Sequence, residues 1–259
     1  LDHCIQSVVE QTAKPSHYEV LVIDNESTDD TKKVTEQYID NERNVSVRYI
    51  HEPKVGLSNA RNRAIDEAEA PWILYLDDDA KAKEDLVELY IERINSREFT
   101  VLGGPHYPWY QFGKPDWFQD RYLPGVKTKR FEYLPKGEYV IGCNMLLKRD
   151  AMEAVGGFNP DFGMKGDEVK YGEETDLQVR LRKEGHQIAY DPELIIYHAV
   201  APYKMEIDWN FKRHFALGEY QVWSKSVNTS IFNLFLVWCT MIEYTTVRFL
   251  VNTPKLLRS

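Results

Sequence analysis

The sequence predicts an α/β fold: a mostly parallel central sheet flanked by helices, with a C-terminal helical extension. Three observations carry this. Short β-rich runs alternate with helix-period segments through the first half of the chain. Acidic motifs stand at the carboxyl ends of two of those runs. The chain has 259 residues, 43% hydrophobic and 13% aromatic, enough to bury a large core.

The elements follow in order. "LDHCIQSVVEQT" reads as the middle of an amphipathic helix, so no signal peptide is expected. "YEVLVID" is a β-rich run with Val20, Val22 and Ile23. "DDTKKVTEQYID" is a helix that spaces Val34 and Tyr38 four apart, and "VSVRYI" is the next strand. "LSNARNRAIDEAEA" sets Leu57, Ala60, Ala64, Ile65 and Ala68 on one helical face. "PWILYLD" is the third strand and "KEDLVELYIERI" the following helix. Strands alternating with helices imply right-handed crossovers and parallel pairing.

Residues 103–139 are rich in Pro, Gly and aromatics and read as a long loop with short elements. "YVIGCNMLLKR" resumes as a strand, and "DAMEAVGGF" is a short helix stopped by Gly156 and Gly157. A Gly-rich polar loop leads to the helix "EETDLQVRLRKEG", then to two short strands in "QIAYDPELIIYH". The tail is expected to be helical. Its "IFNLFLVWCTMIEYTTVRFL" holds 14 apolar residues in 20, but Asn233, Glu243 and Arg248 interrupt it. An interfacial helix or one packed on a second copy is expected, rather than a membrane span.

The net charge of −9 argues against a nucleic-acid binder with a broad basic surface. The three cysteines, Cys4, Cys143 and Cys239, have no zinc-ligand spacing and are too few for a disulfide framework. A reducing, cytoplasmic location is expected, peripheral at the inner face of a membrane if the tail engages one.

Asp77, Asp78 and Asp79 follow the apolar run "WILYL". Three like charges this close need either water or a cation to offset them, so a solvated acidic turn and a metal site both stand open. In open α/β sheets, ligands bind outside the strand carboxyl ends, which favours the site. Glu173 and Glu174 precede Thr175 and Asp176 at a helix start, where the dipole favours negative charge and keeps a general base ionised. Asp176 is expected to pair with Arg180 one turn later. His198 ends "LIIYH" and would share the sheet edge with the acids, as a structural residue or a further metal ligand. Arg61 alone reads as a solvated helix residue, and Asp24 and Asn25 as turn formers.

The ordered set "VIDNESTDDT", "GLSNARNRAI", "YLDDDA", "GCNMLLKR", "VGGF", "GEETDLQVRLRKEG" and "YH" resembles glycosyltransferase family 2, with the GT-A fold, over about residues 1 to 200. The resemblance implies a GT-A domain over 1–204 and a helical extension over 205–259. It implies donor contacts from Asp24, Asn25, Arg61, Asp77, Asp78 and Asn144, with Gly142 and Cys143 beside Asn144 in the sugar-pocket wall. Asp79 and His198 would hold Mn²⁺ or Mg²⁺, and Glu174 would be the catalytic base. Trp109 and Trp117 in the aromatic loop, with Glu173, would meet the acceptor. Two departures stand out. The family's opening strand is absent, because the sequence begins in the helix that normally follows it. Glu174 also replaces the usual Asp.

The implied activity is an inverting, metal-dependent transfer from a nucleotide-sugar, most often a UDP-sugar, to a hydroxyl of a saccharide or lipid-linked acceptor in polysaccharide or glycoconjugate synthesis. Two rivals are set against it. A phosphohydrolase using "LDDDA" would need Thr or Val where Lys81 stands. A degenerate subunit would bind nucleotide or carbohydrate without catalysis.

Overall fold

The computed structural model describes residues 1–116, 118, 127–166, 170–206 and 209. The helical extension expected over 205–259 lies almost wholly outside these residues. Among the described residues, no helix is long and apolar enough to cross a membrane.

Helix α1 (Asp2–Val9) opens the chain. Strand β1 (Glu19–Asp24), helix α2 (Thr31–Glu36) and strand β2 (Ser46–His51) follow as a strand–helix–strand unit. The two strands pair in parallel, with Asp24 opposite His51. The buried Val22, Val45 and Val47 pack under Ile5 and Val9 of α1, so this unit has its own small core. Helix α3 (Leu57–Glu67) leads to β3 (Trp72–Leu76), a short β4 (Ala80–Ala82) and α4 (Leu86–Ser96). Then come β5 (Val101–Gly103), β6 (His106–Trp109), β7 (Glu132–Tyr133), β8 (Asn144–Lys148) and α5 (Arg149–Ala154). Helix α6 (Glu173–Lys183), β9 (Ile188–Tyr190) and β10 (Ile196–Ala199) complete the described elements, apart from 3₁₀ turns.

The five-stranded sheet runs in the order β3-β8-β5-β9-β7. Only β5 and β9 pair in parallel, while β8 is antiparallel to both β3 and β5, and β7 to β9. The expected mostly parallel sheet is therefore corrected to a mixed one. The reason lies in the connections. A parallel neighbour needs a crossover, usually a helix, and the described residues between β5 and β8 supply none. A three-stranded sheet, β4-β10-β6, lies beside it, with β10 antiparallel to β4 and parallel to β6.

The strand period of two sorts the core into two layers. Ile73, Tyr75, Val101, Met145, Leu147 and Ile188 face Ile65 of α3, Met152 of α5 and Leu177 and Leu181 of α6. The alternate residues Leu102, Leu146 and Ala189 face Leu86 and Tyr90 of α4, with Ala80 and Ile196 of the small sheet. Strand β8 is covered on both faces, which is why "NMLLK" reads as a continuous apolar run. Gly104 allows the small sheet to approach: a Cβ there would lie 2.0 Å from the Leu194 carbonyl oxygen. The long loop thus carries two ordered strands, β6 and β7, and β6 brings Trp109 to the edge of β10.

Candidate active site

The three acids sit where β3 ends. The chain turns there, with the Ala80 N–H donating to the Asp77 carbonyl at 3.0 Å, and returns as β4. Strand β10 pairs antiparallel with β4 and sets His198 opposite Ala80. The backbone is locked again where Ala199 N–H donates to the Asp79 carbonyl at 2.9 Å. This register brings His198 Nε2 within 3.2 Å of both Asp77 Oδ2 and Asp79 Oδ1. A 3₁₀ turn at Pro202–Met205 then returns Lys204, whose Nζ lies 3.3 Å from Asp79 Oδ2.

The acids do not titrate alike. Burial works to raise Asp77, but the His198 hydrogen bond and the nearby Arg61 charge outweigh it and hold the carboxyl below its ordinary range. Asp78 moves the other way, pushed up by burial and by Asp79. Burial works to lower His198, and Asp77 and Asp79 more than reverse it.

Arg61 of α3 is the buried cation behind this turn. Its Nη1 donates to Glu173 Oε1 at 2.8 Å, with both side chains only 7% exposed, and its Nη2 lies 3.9 Å from Asp77 Oδ1. Tyr75 and Phe158 face the guanidinium, their ring centroids 5.9 and 5.4 Å away. The Tyr75 hydroxyl donates to the Arg61 carbonyl at 2.9 Å. Gly142 is required beside it, since a Cβ there would lie 2.5 Å from Arg61 Nη2.

Glu174 stands next to that ion pair without sharing in it. The residue is partly exposed, but its Oε2 is buried and makes no hydrogen bond among the described residues. Burial first, and then the neighbouring Glu173 charge, push its carboxyl up to about 8. The helix N-terminus favours the ionised form, but burial and Glu173 act against it. Asp176 is taken by Arg180 at 2.9 Å, as its spacing predicts. Cys143 is buried near Asp77 and His198, and burial together with Asp77 pushes its thiol well above the ordinary value.

The remaining expected residues fall in different places. Asp24 is buried at the end of β1, where Oδ1 accepts from Ser27 N–H at 2.8 Å and Oδ2 from the Tyr49 hydroxyl at 2.5 Å. Asn25 clamps the following loop, donating to the Glu52 and Lys54 carbonyls and accepting from Gly56 N–H. Asn144 is 1% exposed; its amide accepts from the Tyr90 hydroxyl and donates to the Leu194 carbonyl, so it stands as a strut behind the pocket. Glu173 is committed to Arg61 rather than open to an acceptor. Trp109 packs edge-on against His3 at the end of β6, one residue beyond the position opposite His198. Trp117 lies outside the described residues. Lys204 was not legible in the sequence, since "APYK" carries no motif and only the turn brings it to Asp79.

Two carboxylates and an imidazole converging at one point fit a divalent cation of the Mn²⁺ or Mg²⁺ kind. An ammonium and a guanidinium nearby fit an anionic ligand such as a diphosphate. The comparison that decides the family is with the model described as glycosyl transferase family 2, which matches residues 1–156. The chain belongs to this family. It is thus a glycosyltransferase, of the class that moves sugars from nucleotide-sugars in polysaccharide and glycoconjugate synthesis.

This family 2 glycosyltransferase is 26% identical over 219 residues to the glucosyl-dolichyl phosphate glucuronosyltransferase of Haloferax volcanii, covering 83% of the chain and 69% of that relative. Its fold is similar to a mannosyltransferase of Pyrobaculum calidifontis solved with GDP-mannose and Mn²⁺. The TM-score is 0.65 at 14% identity, over 98% of this chain and 69% of that one. It is also similar to S. aureus TarS solved with UDP-GlcNAc, with a TM-score of 0.60 at 14% identity over 95% and 77% of the two chains. These likenesses show the α/β GT-A-like fold.

Two predictions follow from the charges. Arg61→Met leaves Glu173 buried and unpaired, and should lower unfolding free energy by about 3–5 kcal/mol. The double variant Arg61→Met/Glu173→Gln should recover much of that loss. Urea unfolding of the three chains checks this, and a single variant as stable as the wild type would refute the strut. Glu174 gives a pH signature. Its carboxyl ionises at about 4.5 in the unfolded chain and at about 8 in the fold. Below the lower value both states hold the proton and the group costs nothing. Between the two, only the fold holds it, so its contribution to stability is lost as pH rises, levelling above about 8. Glu174→Gln should therefore gain stability relative to the wild type across that window. Parallel stability–pH curves for the two proteins would exclude it.

Proposed function

We propose that this glycosyltransferase is inverting and metal-dependent, and that it moves a sugar from a UDP-sugar to a hydroxyl of a lipid-linked or saccharide acceptor. The observation that carries the reading is the division of labour around Arg61. On one side of it stand Asp77, Asp79 and His198, where a cation and a diphosphate fit. On the other stands Glu174, a partly exposed residue whose buried Oε2 has no hydrogen-bond partner among the described residues.

In this reading Asp79 and His198 would hold the divalent cation, which would supply charge compensation for the leaving diphosphate. Lys204 lies within reach of the same charge. Asp24, at the carboxyl end of β1, lines the base side of the donor pocket, and Asn25 shapes its loop. Trp109 offers an apolar face for the acceptor. Glu174 takes the proton from the acceptor hydroxyl as that oxygen attacks the anomeric carbon from the face opposite the diphosphate. One displacement with one base inverts the anomeric centre and needs no covalent nucleophile. A UDP donor is supported by the fold's likeness to TarS, solved with UDP-GlcNAc, and a lipid-linked acceptor by the dolichyl-phosphate-linked substrate in the name of the Haloferax relative. Residues 205–259, expected from their sequence to form helices, would hold the enzyme peripherally at the cytoplasmic membrane face, where such an acceptor resides.

Because Glu174 must lose its proton before it can accept one, kcat/KM should fall as pH drops below about 8. A nucleotide-sugar panel with and without Mn²⁺ identifies the donor; single-turnover transfer then tests the base. Glu174→Gln should cut the chemical step by about 10²- to 10⁴-fold with donor affinity nearly unchanged. Near wild-type chemistry in that variant, with Asp176→Asn inactive, would move the base to Asp176. Binding of UDP without transfer to any acceptor or hydrolysis of the donor would overturn the enzymatic reading.

A further inference from the structure

Oxygen and imidazole ligands suffice for the hard cation of the preceding reading, and that reading gives sulfur no place. The structure nevertheless puts a thiol there. One ligand atom each from Asp77, Cys143 and His198 lie within 4.8 Å of one another. Cys143 is buried, and its Sγ makes no hydrogen bond among the described residues. His198 supplies a second, independent observation. Its Nδ1 lies 3.1 Å from the Ala199 carbonyl oxygen, so Nδ1–H can donate there while Nε2 serves as the ligand atom. That Nε2 is directed at two carboxylates, 3.2 Å from each. A metal ion held by all three groups would take the place of the proton that Nε2 shares with Asp77.

We propose that Asp77, Cys143 and His198 form a zinc site that shares His198 with the cation site of the donor, so that zinc and the metal-bound nucleotide exclude each other. One carboxylate, one imidazole and one thiolate with an open fourth position form a set suited to tetrahedral Zn²⁺. Mn²⁺ and Mg²⁺ prefer the oxygens of Asp79 and a diphosphate, and they bind nitrogen and sulfur more weakly than zinc does. On binding, the Cys143 S–H bond breaks, its proton passes to the buffer, and the sulfur electron pair forms the S–Zn bond. In a tetrahedral set the ligand atoms stand about 3.5 Å apart, by the usual zinc–ligand lengths. Zinc binding would draw the present ligand atoms, all within 4.8 Å of one another, to that spacing. The zinc site itself stands without the transferase reading; its exclusion of the nucleotide rests on that reading.

Cobalt is the probe. Titrated into the reduced full chain without nucleotide, Co²⁺ should give a near-ultraviolet thiolate-to-cobalt charge-transfer band and strong visible bands of a tetrahedral ion, both bleached by one equivalent of Zn²⁺. Cys143→Ser and His198→Gln should lose the charge-transfer band or weaken Zn²⁺ binding by about tenfold or more, while circular dichroism shows the fold retained. Asp79→Ala, Cys4→Ser and Cys239→Ser should keep it. Absence of the band at saturating Co²⁺, or its survival in Cys143→Ser, overturns the site. Calorimetry with Mn²⁺ and UDP tests the exclusion: the zinc-loaded chain should bind UDP about tenfold or more weakly than the zinc-free chain. Equal binding by the two overturns the shared ligand. If even the zinc-free chain does not bind UDP, the donor reading fails and the exclusion falls with it, while the cobalt spectra still decide the site.

Discussion

The site is built around one buried charge. Arg61 is almost fully excluded from water and is compensated by Glu173, with Asp77 further off. A guanidinium this deep would be costly unless paired and packed. The fold provides both: the carboxylate arrives on α6, the rings of Tyr75 and Phe158 line the cation, and Gly142 leaves space for its Nη2. One side chain therefore ties α3, α6, the end of β3 and the loop before β8. The catalytic-type geometry depends on this knot, because the acids of β3 and the acids of α6 come from segments far apart in the chain.

Spending Arg61 on Glu173 also sets the chemistry of its neighbour. Two adjacent carboxyl groups share a helix start, but only one receives the cation. Glu174 is left desolvated beside a negative charge and keeps its proton to about pH 8. Glu173 thus serves as structure and Glu174 as a group whose proton can move. The sequence places the two side by side, and the direction of a single guanidinium separates their roles.

The Asp triplet shows the same economy. Three consecutive acids persist in a folded turn because cations reach them from three directions: Arg61 from α3, His198 from β10 and Lys204 from the turn beyond it. The β4–β10 pairing is what delivers the last two. Asp77 and Asp78 shift oppositely although they adjoin, since the first faces His198 and Arg61 while the second is buried against Asp79. Protein cations, rather than water alone, offset the charge of this turn.

The sequence by itself determined a good deal. Periodicity marked most of the strands and helices, because burial of alternate or every third-to-fourth residue leaves a local signature. The order of short motifs identified the family, and the acids at the end of β3 pointed to the turn on which His198 and Lys204 converge. The tertiary structure alone decided the rest. Strand direction in the five-stranded sheet was not legible, since pairing is a contact between distant segments and β8 carries the same apolar run whichever way it lies. Arg61 read as a solvated helix residue and is a buried strut. Asn144 read as a pocket residue and holds the core, its amide consumed by Tyr90 and Leu194. Lys204 carried no signal at all, yet it stands beside Asp79. Local pattern reports what a residue does to its own segment; the charge and solvation it meets are set by segments a hundred residues away, and only their packing fixes them.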